Sequence, residues 1–213
     1  MTINLKRICQ SGIRHFVRLT TMKLPHGSHL TRYYMYERLS SISRILNREG
    51  RVLSVSHSRR LCDVISFSAC EIVEANYPEH NLLSLDFSSN QFDFVVCDQV
   101  LEHVEGDPHQ AVDEIYRVLK PNGTAILTSS LLYPIHLDPG DYWRFTPEGL
   151  RVLCKRFSDI LEIGGWGNPW MWLLIQLGLQ FVEVPHCHWH PLYKIAVLNN
   201  EKWPMMTWIV ATK

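Results

Sequence analysis

The sequence predicts an α/β fold in which a mostly parallel sheet carries helices on both faces. Three observations carry this. Strand-length and helix-length segments alternate along most of the 213 residues. The segment FDFVVCD at 92–98 is almost continuously apolar, as a strand buried on both faces is. Between it and a further strand, TAILTSS at 124–130, residues 107–119 repeat their apolar positions at helical spacing, which makes a strand–helix–strand unit.

Each element has its own signal. Residues 33–49 set Tyr36, Leu39, Ile42, Ile45 and Leu46 on one helical face, with Gly50 as a C-terminal stop. VLSV at 52–55 reads as the first strand, 61–68 as a helix, CEIVEA at 70–75 as the second strand and FDFVVCD as the third. In the helix over 107–119, Asp107 caps, Pro108 suits the first position and Gln110 completes a capping box. Ala111, Val112, Ile115, Val118 and Leu119 form its apolar stripe, and Lys120-Pro-Asn-Gly123 ends it. Thr146-Pro147 opens another helix through Phe157, and ILEIG at 160–164 and TWIVAT at 207–212 are the last strands.

Composition bounds the function. Lysine and arginine total 21, balanced by 21 acids, so the overall charge does not point to a nucleic-acid partner. The distribution is uneven: Lys6, Arg7, Arg14, Arg18, Lys23 and Arg32 precede the first acid, Glu37. Residues 1–30 therefore read as a solvated basic arm before one domain over 31–213, with contact to an anionic lipid surface or nucleic acid as the alternative. Six scattered cysteines without a CxxC pair argue against a disulfide framework or zinc knuckle. With no secretory signal pattern, they predict a cytoplasmic protein. The run WMWLLIQLGLQFV at 170–182 is too short to span a bilayer and reads as a buried helix, with a membrane-surface or dimer contact as the alternative.

In open parallel sheets ligands bind beyond the carboxyl ends of the strands. Ser56, His57 and Ser58 follow the first strand there, and Glu74 lies 18 residues beyond Ser56, where a carboxylate can accept from both hydroxyls of a ribose. Asp86 is suited to accept from the exocyclic amine of a base, with Phe87 packed on its ring, and Asp98 and Gln99 emerge at the central cleft. Extended, His186, His188 and His190 would share one face as metal ligands. Pro185 and Pro191 favour an irregular loop instead, and no metal is expected.

The block FDFVVCDQVLEHVEGDPHQAVDEIYRVLKPNGTAILTSS (92–130) resembles the central part of class I S-adenosylmethionine-dependent methyltransferases of the type 11 kind. HLDPGDYWRFTPEGL (136–150) resembles a downstream segment of one branch of them. The resemblance implies a Rossmann-like, seven-stranded, mostly parallel sheet with helices on both faces. It implies S-adenosylmethionine as cofactor and S-adenosylhomocysteine as product. Glu74 would hold the ribose, Asp86 and Phe87 would lie by the adenine, and Asp98 by the methionine moiety. The departure is the loop, where Ser54 stands for the usual acid and Ser56 and Ser58 for glycines that favour positive φ.

On the acceptor side, His136 is the candidate base, with Tyr142 at its side and His103, Asp141 and Arg144 shaping the acceptor pocket. The alternative for the segment is a salt-linked helix cap built by Asp141, Arg144 and Thr146, with Trp143 and Phe145 in the core. The expected activity is methyl transfer to a small-molecule, glycan-linked or lipid-linked acceptor. A protein that kept the fold as a binding or scaffold subunit is the alternative, and no N-P-P-Y motif supports a nucleic-acid substrate.

Overall fold

The structure is a computed structural model that describes residues 5–137 and 139–213, with side chains from Gln10 onward. Helix α1 (Leu5–Thr21) is followed by β1 (His26–His29), α2 (Tyr33–Ile42), β2 (Arg51–Val55), α3 (Arg59–Val64), β3 (Glu71–Ala75) and β4 (Phe92–Asp98). After a single 3-10 turn at Leu101–His103 come α4 (Pro108–Val118), β5 (Leu119–Ser130), α5 (Pro147–Leu153) and β6 (Asp159–Trp166). The chain closes with α6 (Trp170–Gln176), β7 (Glu183–Pro185), α7 (Pro191–Val197) and β8 (Met206–Thr212).

The main sheet runs in the order β3–β2–β4–β5–β8–β6, and β1 and β7 form a separate antiparallel pair. Strands β3, β2, β4 and β5 are parallel, while β8 runs antiparallel to both β5 and β6. Period-two alternation divides the side chains between two cores. Val52, Phe94, Val96, Ile126 and Val210 face α2, α3 and α6. Leu53, Val95, Cys97, Ala125, Leu127 and Ile209 face the apolar stripes of α4 and α5. Both faces are dry, which is why these strands read as nearly continuous apolar runs.

The main sheet has six strands, not seven. Residues 76–91 make one isolated bridge, Asn81 to Ser84, and no strand. Their backbone groups are taken by side chains instead: Asn81 Oδ1 accepts from Leu83 N at 2.9 Å, and Glu114 Oε2 accepts from Leu85 N at 2.8 Å. Arg117 of α4 donates to the carbonyls of Leu85 and Phe87 at 2.8 and 2.7 Å. A segment whose polar groups are bound by side chains has none left for an edge ladder.

Other elements differ in extent. Helix α2 ends at Ile42 within a serine-rich stretch of low helix propensity, and Ile45 is 69% exposed instead of lying on the buried face. Gly50 is not the helix stop; at φ +103 it leads into β2, and an added Cβ would meet the Asp93 carboxylate. Asp107 caps α4 through His109 N at 2.8 Å, but Gln110 donates to Leu83 O and forms no capping box. Lys120-Pro-Asn-Gly123 is absorbed into β5, whose register with β4 shifts there. Thr146 caps α5 through Gly149 N at 3.0 Å.

Helix α1 lies on the chain's C-terminal half. Ile13 and Val17 pack on the first core, Gln10 donates to Gln176 O, and Thr20 meets His190 at 3.3 Å. Among the described residues no helix is long and apolar enough to cross a membrane.

Candidate functional site

A cleft of about 740 Å³ opens beyond the carboxyl ends of β2, β3 and β4. Its wall includes Ser56 and His57 after β2, Gln99 after β4, Leu82 and Leu83 from the strandless segment, and His103 and Tyr142 on the far side.

The loop after β2 has no glycine, yet Ser56 and His57 adopt left-handed backbone at φ 45 and φ 64. That conformation costs about 1–2 kcal/mol for each non-glycine residue, so the surroundings must hold it. They do so through hydrogen bonds. Ser56 N donates to Ala75 O at 2.8 Å and His57 N to Asn76 Oδ1 at 2.8 Å. Ser58 is buried beneath the loop, where its hydroxyl donates to Val55 O and accepts from Asp98 N at 2.8 Å. Ser54 is wholly buried on β2, its hydroxyl toward the Cys62 thiol, whose pKa burial pushes up to about 12. Ser58 thus supports the loop from below, and Ser56 and His57 form its surface.

Glu74 ends β3 with its carboxylate open to solvent. Asn76 Nδ2 donates to it at 3.3 Å, and Arg59 of α3 lies 3.8 Å away. Asp98 is more heavily engaged: Tyr36 and Thr128 donate their hydroxyls to it, the latter at 2.5 Å, and Arg32 lies 3.9 Å off. Burial and the Asp98 charge push the Tyr36 phenol up. Gln99, at φ 57, donates through both its backbone and side-chain nitrogens to Thr128 Oγ1. Asp86 points to solvent and pairs with His80 at 2.6 Å, which lowers its pKa. Phe87 stacks on His80, so His80 stands at the cleft wall where Asp86 and Phe87 were expected.

On the far side His103 reaches the cleft and His136 stands behind it, their ring centroids 4.8 Å apart and nearly perpendicular. His103 Nδ1 bonds to Gly140 O. His136 Nδ1 lies 3.2 Å from both Asp141 Oδ2 and Pro134 O. Since those partners are acceptors, each Nδ1 is the donor nitrogen of its ring. Asp141 is buried and clamped by Arg144 through both guanidinium nitrogens, which lowers its carboxyl to about 2. Arg144 therefore holds the loop from within, in the salt-linked arrangement that was the alternative reading. Trp143 bonds to Val104 O and stacks on buried Phe145, while Tyr142 stands half-exposed at the rim.

Several residues here escaped the sequence reading. Asn76 carried a signal, a side-chain acceptor two residues past a strand-end carboxylate. Tyr36 looked like ordinary core. Glu102, in the LEHV segment, is completely buried, and burial raises its pKa. The three histidines of 186–190 do not converge: His186 bonds to Tyr33, His188 packs on Tyr193, and His190 caps α7.

A methyltransferase domain family matches residues 40–127. No curated protein matches the chain in sequence. Among solved structures, the cyclase SpnF aligns over 98% of this chain and 96% of its own, at 16% identity and a TM-score of 0.52. A S-adenosylmethionine-dependent methyltransferase from Archaeoglobus fulgidus aligns over 93% and 99%, at 15% identity and 0.51. Another from Mesorhizobium loti aligns over 86% and 98%, at 11% identity and 0.50. The structural likenesses concern the fold. The family match covers β2 to most of β5, and the structural likenesses extend the shared fold over most of the chain.

Proposed function

We propose that the protein transfers a methyl group to a small-molecule, glycan-linked or lipid-linked acceptor held between the β2 loop and the His103 wall. The observation that carries this reading is the left-handed pair Ser56 and His57. The chain maintains a glycine-type loop against its own side-chain preference, and strain of that kind persists where surrounding structure enforces it. Bound S-adenosylmethionine supplies an electrophilic methyl group at its sulfonium, so the protein's own part is alignment, desolvation and proton handling.

On this reading the Glu74 carboxylate accepts from ribose hydroxyls, and Leu82 and Leu83 offer an apolar wall to a base. Asp98 is held in place at the end of β4 by Tyr36 and Thr128. The acceptor enters by Tyr142. Its proton leaves on the side where His103 and His136 stand, each ring fixed through Nδ1 by a backbone carbonyl. That one neighbour in fold is a cyclase is a reminder that chemistry lives in the site, not the scaffold.

The test is calorimetric titration with S-adenosylhomocysteine. One site per chain is expected, with affinity at least tenfold weaker in Glu74→Ala. Absence of binding at millimolar ligand would overturn the reading, and unchanged affinity in Glu74→Ala would overturn the placement of the ribose.

A further inference from the structure

The acceptor side holds one group of side chains that methyl transfer by alignment alone does not use. Glu102, His103 and His136 bring one potential ligand atom each to within 4.8 Å of one another. Glu102 is fully buried. One carboxylate oxygen accepts from Ser129 Oγ at 2.9 Å, and the other, Oε1, is buried with no hydrogen-bond partner. A buried, half-satisfied carboxylate is costly unless a proton or a cation occupies its free oxygen.

The two histidines each have the second ring contact that metal-ligating histidines usually make. A ligating histidine donates its other ring N–H to a carboxylate or a backbone carbonyl, which fixes the tautomer and turns the free nitrogen toward the ion. His103 Nδ1 donates to Gly140 O. His136 Nδ1 has the Asp141 carboxylate and Pro134 O within 3.2 Å, and Asp141 is itself clamped by Arg144. The supporting partners lie among residues 134–137 and 139–144, where Arg144 clamps Asp141.

We infer that Glu102, His103 and His136 form a binding site for a divalent first-row transition ion. Two imidazoles and one carboxylate suit zinc and its neighbours better than magnesium or calcium, which prefer all-oxygen sets. Ligands at about 2.1 Å from a tetrahedral ion stand about 3.4 Å apart, so the three atoms must draw together by up to about 1.4 Å. Three protein ligands leave a coordination position open. Because His103 is on the cleft wall, that position lies toward the acceptor, and an oxygen bound there would lose its proton more readily. This role in the reaction rests on the transfer reading above; the ion site does not.

The test uses Co2+ as a spectroscopic probe with the full-length protein in the absence of any S-adenosyl ligand. One Co2+ per chain is expected by equilibrium dialysis, with visible absorption of a four- or five-coordinate ion and displacement by Zn2+. Glu102→Gln and His136→Ala should each weaken binding at least tenfold, and Asp141→Asn by roughly 10–100-fold through loss of the supporting carboxylate. His188→Ala should leave it unchanged. Circular dichroism of each variant separates ligand loss from unfolding, and any two folded variants of the first three suffice. Lack of stoichiometric Co2+ binding, or binding that survives Glu102→Gln or His136→Ala, would overturn the inference. So would loss of binding in His188→Ala. Titration of S-adenosylhomocysteine into metal-free protein reads the cofactor site separately, so failure of one reading does not mask the other.

Discussion

The Ser58 hydroxyl accepts the backbone N–H of Asp98 at 2.8 Å while donating to Val55 O, so a single buried side chain ties the end of β2 to the end of β4. Those two strand ends carry the loop and the carboxylate assigned above to the proposed cofactor side of the cleft. Ser58→Ala would leave the Asp98 N–H without its partner and remove one of the two Ser58 donors to Val55 O. The expected loss is about 1–3 kcal/mol in urea unfolding, with weaker binding of S-adenosylhomocysteine. An unchanged midpoint would show that water replaces the hydroxyl without cost.

Ser56→Gly and His57→Gly test the strain in the loop. Each relieves about 1–2 kcal/mol of left-handed cost and gives back about 0.5–1 kcal/mol in unfolded-chain freedom. Each variant is expected to be as stable as the parent or up to about 1 kcal/mol more so, with ligand affinity equal or tighter. A tenfold loss of affinity would instead mean that the serine or histidine side chain touches the ligand.

Arg117 binds two carbonyls and Glu114 at once, which the point charge of a lysine cannot do. Arg117→Lys should cost about 1–2 kcal/mol and speed amide hydrogen exchange over residues 83–88, leaving exchange in β4 and β5 unchanged. Uniform protection across the chain would show that the strandless segment is held by other contacts.

Burial, reinforced by Arg32 and Arg60, lowers His29 from its usual 6.5 to about 4. A histidine with a depressed pKa favours the neutral form in the fold. Its contribution is present above pH 6.5 and is lost as the pH falls toward 4. Stability should therefore decline by up to about 3 kcal/mol across that window, and the decline should flatten in His29→Asn. A His29→Asn curve parallel to that of the parent would assign the acid sensitivity to other groups.

Much of this architecture is legible in the sequence because dry, two-sided strands and amphipathic helices impose local patterns. The apolar runs at 52–55, 92–98 and 207–212 and the stripe on α4 each declare their surroundings residue by residue. Asp107 and Thr146 declare their helix starts because capping is a contact between near neighbours. The positions of Ser56, Glu74 and Gln99 at strand ends follow from the same local reading.

The rest of the arrangement depends on partners far apart in the chain. A serine and a histidine adopt left-handed backbone because Ala75 and Asn76, some twenty residues away, hold their N–H groups. Residues 83–87 form no strand, and Glu114 and Arg117, on a helix that the sequence placed correctly, bind the backbone of Leu85 and Phe87. His103, not His136, faces the cleft, and Glu102 is buried beside them, because the 131–146 loop folds back over the turn at 101–103 through Tyr142 N and Trp143 N to Glu102 O. Periodicity records burial, which each residue feels for itself. Strain, satisfaction of polar groups and the convergence of ligands are properties of pairs, and a single sequence carries no record of which pairs meet.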